Sequence, residues 1–227
     1  FARDFCRKYP NSSCLGSILF FPSRPWHLPL ISSTYGFNQI LCLPGSIIHR
    51  QAFSQAGFFL PNVRAGEDLD WIWHASAHKL FLDIGMPPPL KYNLDSDKSI
   101  FFYFRKWFRN YSCTSALPYV SDTQRTFYAF FLCVTLSLLA YFWNSLFADW
   151  AESSPFYIPF ISRTVVATFV SIYLFFRCLY LPIKKGTSYK VLIRYFWLVV
   201  LFSIALDFVK LAAFLPSILH KAGDHIK

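Results

Sequence analysis

The apolar run Phe127–Phe147 is the feature that most constrains what this chain can fold into. It contains no Asp, Glu, Lys or Arg, and a helix needs about 20 apolar residues to cross the hydrocarbon core of a bilayer. A chain in lipid satisfies its backbone polar groups internally, so the run is expected to be helical. The composition agrees, since 55% hydrophobic and 15% charged residues is too apolar for an ordinary soluble domain.

Two further apolar segments follow this run, at residues 160–181 and 192–215. The first carries Arg163 and Arg177 near its ends, where long side chains can reach the lipid headgroups. The second contains Asp207 and Lys210, which are three residues apart and would share one helix face, where they can pair. We therefore predict an all-α membrane region over residues 126–227, with three helices at 127–147, 160–181 and 192–215.

The charges in the loops between these segments predict their orientation. The first loop has mixed charges, whereas the second is purely basic: Lys184, Lys185, Lys190 and Arg194. Because Lys and Arg accumulate in cytoplasmic loops, the second loop and residues 1–126 are expected on the cytoplasmic side of a plasma (inner) membrane. The net charge of +10 is explained by this arrangement and by the lipid bilayer as a partner, without nucleic acid.

Residues 1–125 have the pattern of alternating strands and helices. Strands are expected at residues 15–21, 40–48 and 80–84, and helices at residues 50–56 and 68–79, with a loop over residues 22–37. The second helix would turn Leu69, Ile72, Trp73 and Ala77 toward the core. This alternation favours an α/β sheet domain, in which ligands gather at the ends of strands.

Glu67 and Asp68 form an acidic pair at the predicted start of the second helix, directly after Gly66. A carboxylate in such a position can serve as a general base. Acids in the first turn also complement the helix dipole without any catalytic role, so both interpretations stand at this point.

Four short motifs lead up to and include this pair in a fixed order: Gly45, His49-Arg50, Gly57-Phe58 and Glu67-Asp68. Their order resembles the acceptor half of family 2 glycosyltransferases, in which a glycine-led strand ends in a basic pair and a Glu-Asp pair opens a later helix. The resemblance covers about residues 15–115. It implies that residues 1–125 are the C-terminal half of a GT-A-like nucleotide-sugar transferase domain, followed by the membrane helices.

This resemblance also implies an activity and a set of roles. The protein would move a sugar from a nucleotide-sugar donor to a membrane-proximal or lipid-linked glycan acceptor, with inversion, in polysaccharide biosynthesis. Asp68 would be the general base and Glu67 would position it or contact the acceptor. Substrate binding is expected of Gly45, His49, Arg50 and Asp70.

A basic and aromatic segment follows, in which residues 103–107 read Tyr-Phe-Arg-Lys-Trp. Processive members of the family carry Gln-x-x-Arg-Trp at the corresponding place, and the missing Gln favours a non-processive enzyme. The resemblance implies that Arg105, Lys106 and Arg109 stabilise the departing diphosphate, with Trp107 as a platform for sugar or acceptor. The alternative is an amphipathic helix lying in the membrane interface, and both can hold at once.

Family membership further implies a divalent cation, Mg²⁺ or Mn²⁺, bound by an Asp-x-Asp element before the Glu-Asp pair. Only Asp4 is acidic in that stretch, so no metal ligand is predicted in this chain. We expect the donor-binding half to precede Phe1 and the isolated fragment to be inactive. The rival hypothesis is a non-catalytic membrane scaffold or transport partner with a cytoplasmic binding domain, in which Asp207 and Lys210 would be the functional pair.

Overall fold

Three strands form one mixed sheet in the N-terminal half of the computed structural model. The described residues are 1–60, 65–114, 117–159 and 161–224, without the side chains of 118–126 and 215–224. Strand β1 (Cys14–Phe21) lies between β2 (Ile40–Ile47), which runs antiparallel to it, and β3 (Leu90–Asn93), which runs parallel. The prediction of a mixed α/β half followed by long apolar helices is confirmed.

The third strand does not lie where the sequence pattern predicted it. Residues 80–84 form no strand, and this segment touches the sheet only through a bridge between Ser13 and Phe81. Lys79, in a left-handed conformation with φ 54°, brings the chain out of the preceding helix beside the residue before β1. The free edge of β1 is instead filled by β3, which follows the run of three prolines at 87–89.

Five helices surround the sheet in the described part of the N-terminal half: α1 (Ala2–Lys8), α2 (His27–Ser33), α3 (Arg50–Ala56), α4 (Glu67–Ala77) and α5 (Ile100–Thr114). Helix α2 corrects the prediction of a loop over residues 22–37. Its Leu30 and Ile31 are fully buried in the main core with Phe20 and Tyr103. Pro29 is tolerated because it lies in the first turn, where backbone N–H groups have no partner within the helix.

Helix α4 buries a different face from the predicted one. Asp70, Trp71 and Ala75 are buried, whereas Leu69 and Trp73 are about half exposed, at 48% and 51%. The indole of Trp71 packs on Phe53 and donates its N–H to the carbonyl of Gly57 at 2.8 Å. The burial of the Trp71 ring accompanies this rotation, and a buried Trp removes a large apolar surface from water.

The C-terminal half contains long apolar helices. They are α6 (Pro118–Phe147), α7 (Arg163–Leu174), which continues through a π turn (Phe175–Tyr180) into α8 (Leu181–Lys184), and α9 (Tyr189–Asp224). Three stretches are long and apolar enough to cross a membrane, namely Phe127–Phe147, Arg163–Lys184 and Tyr189–Phe214. The prediction of three such helices is confirmed; the second and third begin at Arg163 and Tyr189, and the predicted start at residue 160 lies outside the described part of the chain.

The two halves are joined through helix packing and through one loop contact. Helices α2 and α5 lie against α9, whose Leu206 and Phe202 enter the main core. Residues 34–38 rest on residues 184–186, and we call this contact the loop junction. The N–H groups of Phe37 and Asn38 donate to the carbonyl of Lys185 at 2.7 and 2.9 Å, and Lys185 Nζ donates to the Thr34 carbonyl at 2.6 Å. Burial, assisted by Arg177 and Lys210, lowers the pKa of Lys185 to about 8.

Substitution of Gly36 tests the loop junction. Gly36 has φ +79°, and a Cβ there would overlap the Cβ and carbonyl oxygen of Lys185. Gly85 has a similar φ of +73°, but a Cβ at this position would have no described atom within 4 Å. It is therefore a matched control. Gly85→Ala is expected to cost about 1–2 kcal/mol from backbone strain. Gly36→Ala should cost about 1–3 kcal/mol more from overpacking, measured by thermal unfolding in detergent. Equal losses would mean that the junction relaxes freely.

Candidate carboxylate and cation cavity

Glu67 and Asp68 lie in the first turn of α4, where the chain turns sharply. Gly66 permits the turn with φ +88°, and a Cβ at this position would press on the side chains of Thr114 and Leu117. The two acids line a cavity of about 570 Å³, which we call the carboxylate cavity. Its other lining residues are Leu43, Pro44, Ala65, Gly66, Lys106, Arg109 and Asn110.

Helix α5 supplies the cationic wall of the carboxylate cavity. Lys106 and Arg109 face the same space as Glu67 and Asp68, yet no ion pair within 4.0 Å joins these groups in the described part of the chain. Glu67 Oε2 is buried without a hydrogen-bond partner there. A buried acceptor of this kind costs about 1–3 kcal/mol when unsatisfied.

Asp68 also affects a cysteine of β2. The pKa of the Cys42 thiol is raised by burial and further by the negative charge of Asp68. The Asp68 Oδ1 atom accepts the Leu69 N–H at 2.9 Å, a local contact that leaves Oδ2 without an equivalent bond among the described residues. The carboxylate is therefore held at the helix start with one oxygen free of local bonds.

An aromatic cavity of about 360 Å³ adjoins the carboxylate cavity and shares Asp68 with it. Its walls include Tyr35, Trp107 and Tyr111, whose rings contact each other: Trp107 lies 5.1 Å from Tyr35 and 5.6 Å from Tyr111 between centroids. Trp107 Nε1 is buried without a partner in the described residues. Burial raises the pKa of Tyr35, and it raises that of Tyr111 to about 12, so both phenols are neutral near pH 7.

The structure brings only some of the predicted site residues together. Glu67, Asp68, Lys106 and Arg109 share the carboxylate cavity, and Trp107 borders the adjoining aromatic one. Gly45 is next to the wall residue Pro44, and with φ +76° it is closely approached by Leu90.

The remaining predicted residues do not line either cavity. His49 caps α3, its Nδ1 accepting the Gln51 N–H at 3.4 Å, and Arg50 is exposed on the same helix. Asp70 is buried on another face of α4, with Oδ2 3.5 Å from His74 Nδ1. Arg105 lines a separate cavity of about 830 Å³ beside Tyr92 and Tyr103, into which Lys106 and Arg109 also extend.

Sequence reasoning missed three polar residues at these cavities. Asn110 and Tyr111 follow Lys106 and Trp107 by four residues, and that helical spacing on the predicted basic and aromatic segment was a usable signal. Tyr35 had no such signal, because it was placed in a predicted loop and reaches the cavity only through the docking of α2.

The residues present do not fit a divalent cation. No group of three or more His, Cys, Asp or Glu side chains could hold a metal ion among the described residues. The two carboxylates of the cavity face a lysine and an arginine, whose positive charge opposes the binding of a further cation.

Comparison with protein-family models, curated proteins and solved structures returned no match for this chain. The structure defines a chain with three helices long and apolar enough to cross a membrane, in which a small mixed α/β unit packs mainly on the last of them, α9, and carries a cavity with opposed carboxylates and cations.

Proposed function

We propose that this chain is part of a membrane-bound glycosyltransferase that moves a sugar from a nucleotide-sugar donor to a hydroxyl of a membrane-proximal or lipid-linked acceptor. The observation that carries the proposal is the shared cavity of Glu67 and Asp68 with Lys106 and Arg109. Sugar transfer needs a base for the attacking hydroxyl and positive charge for the departing diphosphate. One cavity offers both.

In this mechanism Asp68 accepts the proton of the acceptor hydroxyl while the oxygen attacks the anomeric carbon. The bond from that carbon to the diphosphate oxygen breaks, and the electron pair leaves with the diphosphate. Attack from the face opposite the leaving group inverts the anomeric configuration. Lys106 and Arg109 stabilise the negative charge on the diphosphate.

The neighbouring groups would orient the reactants in this mechanism. Glu67 Oε2, which has no hydrogen-bond partner among the described residues, would accept a hydrogen bond from a second hydroxyl group of the sugar acceptor. Trp107, Tyr35 and Tyr111 would offer aromatic faces to a sugar ring or to the apolar part of a lipid acceptor. The proposal also assigns the sheet to the acceptor half of a GT-A-type fold, on the cytoplasmic side of the plasma membrane, as the basic loop after α8 supports.

Charge removal on α5 tests this proposal, with a matched control on the same helix. In membranes containing the complete gene product, transfer from a panel of labelled nucleotide sugars is measured as label entering the acceptor fraction. Lys106→Gln with Arg109→Gln is expected to lower kcat/KM about 10²-fold or more. Arg105→Gln, which removes one positive charge from the same helix outside the carboxylate cavity, should remain near wild type. Undiminished transfer by the double variant would contradict the proposal.

A second candidate function is a non-catalytic scaffold or transport partner. The observation that favours it is the fully buried Asp207 of α9, which is paired with Arg177 of the π turn and with Lys210 of its own helix. Buried ionisable groups in membrane segments often mark transport pathways. If this function is correct, the wild-type protein turns over no nucleotide sugar. Variants substituted in the carboxylate cavity would also still complement a deletion of the gene.

A further inference from the structure

An apolar groove of about 620 Å³ lies between two consecutive helices of the membrane region. One wall comes from the π turn and α8, and the other from the first turns of α9. The lining side chains are Phe175, Leu179, Tyr180, Ile183, Leu192 and Phe196, together with Ile193 at the rim. Ile193 is 80% exposed, so this groove faces the surroundings of the helices rather than the core.

Two backbone irregularities lie in the helices that form the groove. The π turn Phe175–Tyr180 widens one helix, and Tyr195, with φ −116° and ψ 19°, interrupts the other. Such local departures from α-helical geometry are frequent at functional sites. The groove therefore lies where both helices depart from regular α-helical geometry.

The loop end of the groove is positively charged. Lys184 and Lys190 are exposed and adjoin the lining residues Ile183 and Tyr189 in the chain. Lys184 Nζ lies 5.9 Å from the ring centroid of Tyr180, which places this ammonium at the groove wall. The sequence has no Asp or Glu between Glu152 and Asp207, so neither lysine has an acidic neighbour in this stretch of the chain.

We propose that the groove binds one acyl chain of an anionic phospholipid of the bilayer, whose phosphate is held by Lys184 and Lys190. An apolar trough suits a hydrocarbon chain, and its volume lies within the usual range of about 300–1,000 Å³ for ligand sites. Lysines at the cytoplasmic membrane surface attract anionic lipid. This site is remote in sequence from the carboxylate cavity and stands whether or not the protein transfers sugars.

Native mass spectrometry of the purified 227-residue chain tests the site. The chain is titrated with dioleoyl phosphatidylglycerol and with dioleoyl phosphatidylcholine, which share their acyl chains. We expect preferential retention of phosphatidylglycerol. The double variant Lys184→Gln with Lys190→Gln should lower the affinity for phosphatidylglycerol about 25-fold, because each lysine contributes about fivefold. Lys98→Gln with Arg163→Gln removes the same net charge elsewhere and should change the affinity less than twofold, on the order of measurement error.

Filling the groove separates the acyl-chain contribution from the charge. Leu179→Trp and Ile193→Trp keep both lysines and should each weaken phosphatidylglycerol binding, with circular dichroism to confirm that the helices remain folded. Equal affinity for the two lipids would overturn the proposal. It would also be overturned by an equal loss in the control double variant, by no effect of either tryptophan, or by glycerol phosphate binding as tightly as the whole lipid.

Discussion

Asp68→Asn in the complete gene product is expected to lower sugar transfer by about 10²- to 10⁴-fold, the range that general-base catalysis contributes. The amide keeps the shape of the side chain and its bond to the Leu69 N–H, but it cannot accept the acceptor proton. Because the amide has nearly the same size as the carboxylate, the shape of the two cavities that Asp68 lines is kept, and the effect should appear in kcat more than in KM. The measurement is initial-rate transfer of labelled sugar in membranes.

Asp97→Asn is the control for this substitution. Asp97 is an exposed acid of the loop after β3, so the same charge is removed away from both cavities. If Asp68 only complements the dipole of α4, its loss costs about 0.3–1 kcal/mol of stability and leaves transfer unchanged. Transfer by Asp68→Asn at a near wild-type rate would therefore remove the catalytic assignment and leave only the dipole role.

Arg177→Met is expected to destabilise the folded protein by about 3–5 kcal/mol, because it leaves the buried Asp207 carboxylate without its main partner. The guanidinium binds Asp207 through two atoms, Nε to Oδ2 at 2.7 Å and Nη2 to Oδ1 at 3.1 Å. Tyr173 donates its hydroxyl to Oδ2 at 2.9 Å, and Lys210 lies 3.4 Å from Oδ1. The loss is measured by thermal unfolding in detergent micelles.

The same arginine also connects the membrane helices to the N-terminal half. Arg177 Nη1 donates to the Ser33 carbonyl at the end of α2, at 3.1 Å. Arg177→Met should therefore loosen α2 and, through it, Tyr35 of the aromatic cavity. The expected additional result is increased proteolysis near residues 22–37 in the folded variant.

Two further variants identify the cause of this destabilisation. Arg163→Met removes an exposed arginine that begins the same helix and should cost less than about 1 kcal/mol. Arg177→Met with Asp207→Leu removes both charges and should recover most of the stability, since apolar replacement of a buried pair is often neutral. Equal instability of the single and double variants would show that packing of Arg177, and not its charge, is what matters.

The membrane pair shows where sequence reasoning succeeded and where it failed. The spacing of Asp207 and Lys210 predicted an interaction that exists, at 3.4 Å. Arg177 was expected to extend toward headgroups, yet it is only 5% exposed and is the nearer partner of Asp207. Spacing within one helix is visible in a sequence, whereas the pairing of α7 with α9 depends on how the two helices pack.

The candidate site shows the same division. The acidic pair, the cations of α5 and Trp107 were recognisable as residue types, and they line neighbouring cavities. His49, Arg50, Asp70 and Arg105 were grouped with them by the family resemblance, but none of these four lines the carboxylate cavity or the aromatic cavity. The reason is that a helix presents only one face to a cavity, so residues one or two positions apart can point away from each other.

The sequence by itself determined the three apolar helices, strands β1 and β2, and helix α3 with its end at Gly57, because length, periodicity and turn residues act locally. Tertiary structure alone decided the third strand, the helix α2, the buried face of α4 and the partner of Arg177. Each of these depends on burial against segments distant in the chain, and the free energy of that burial exceeds local preference.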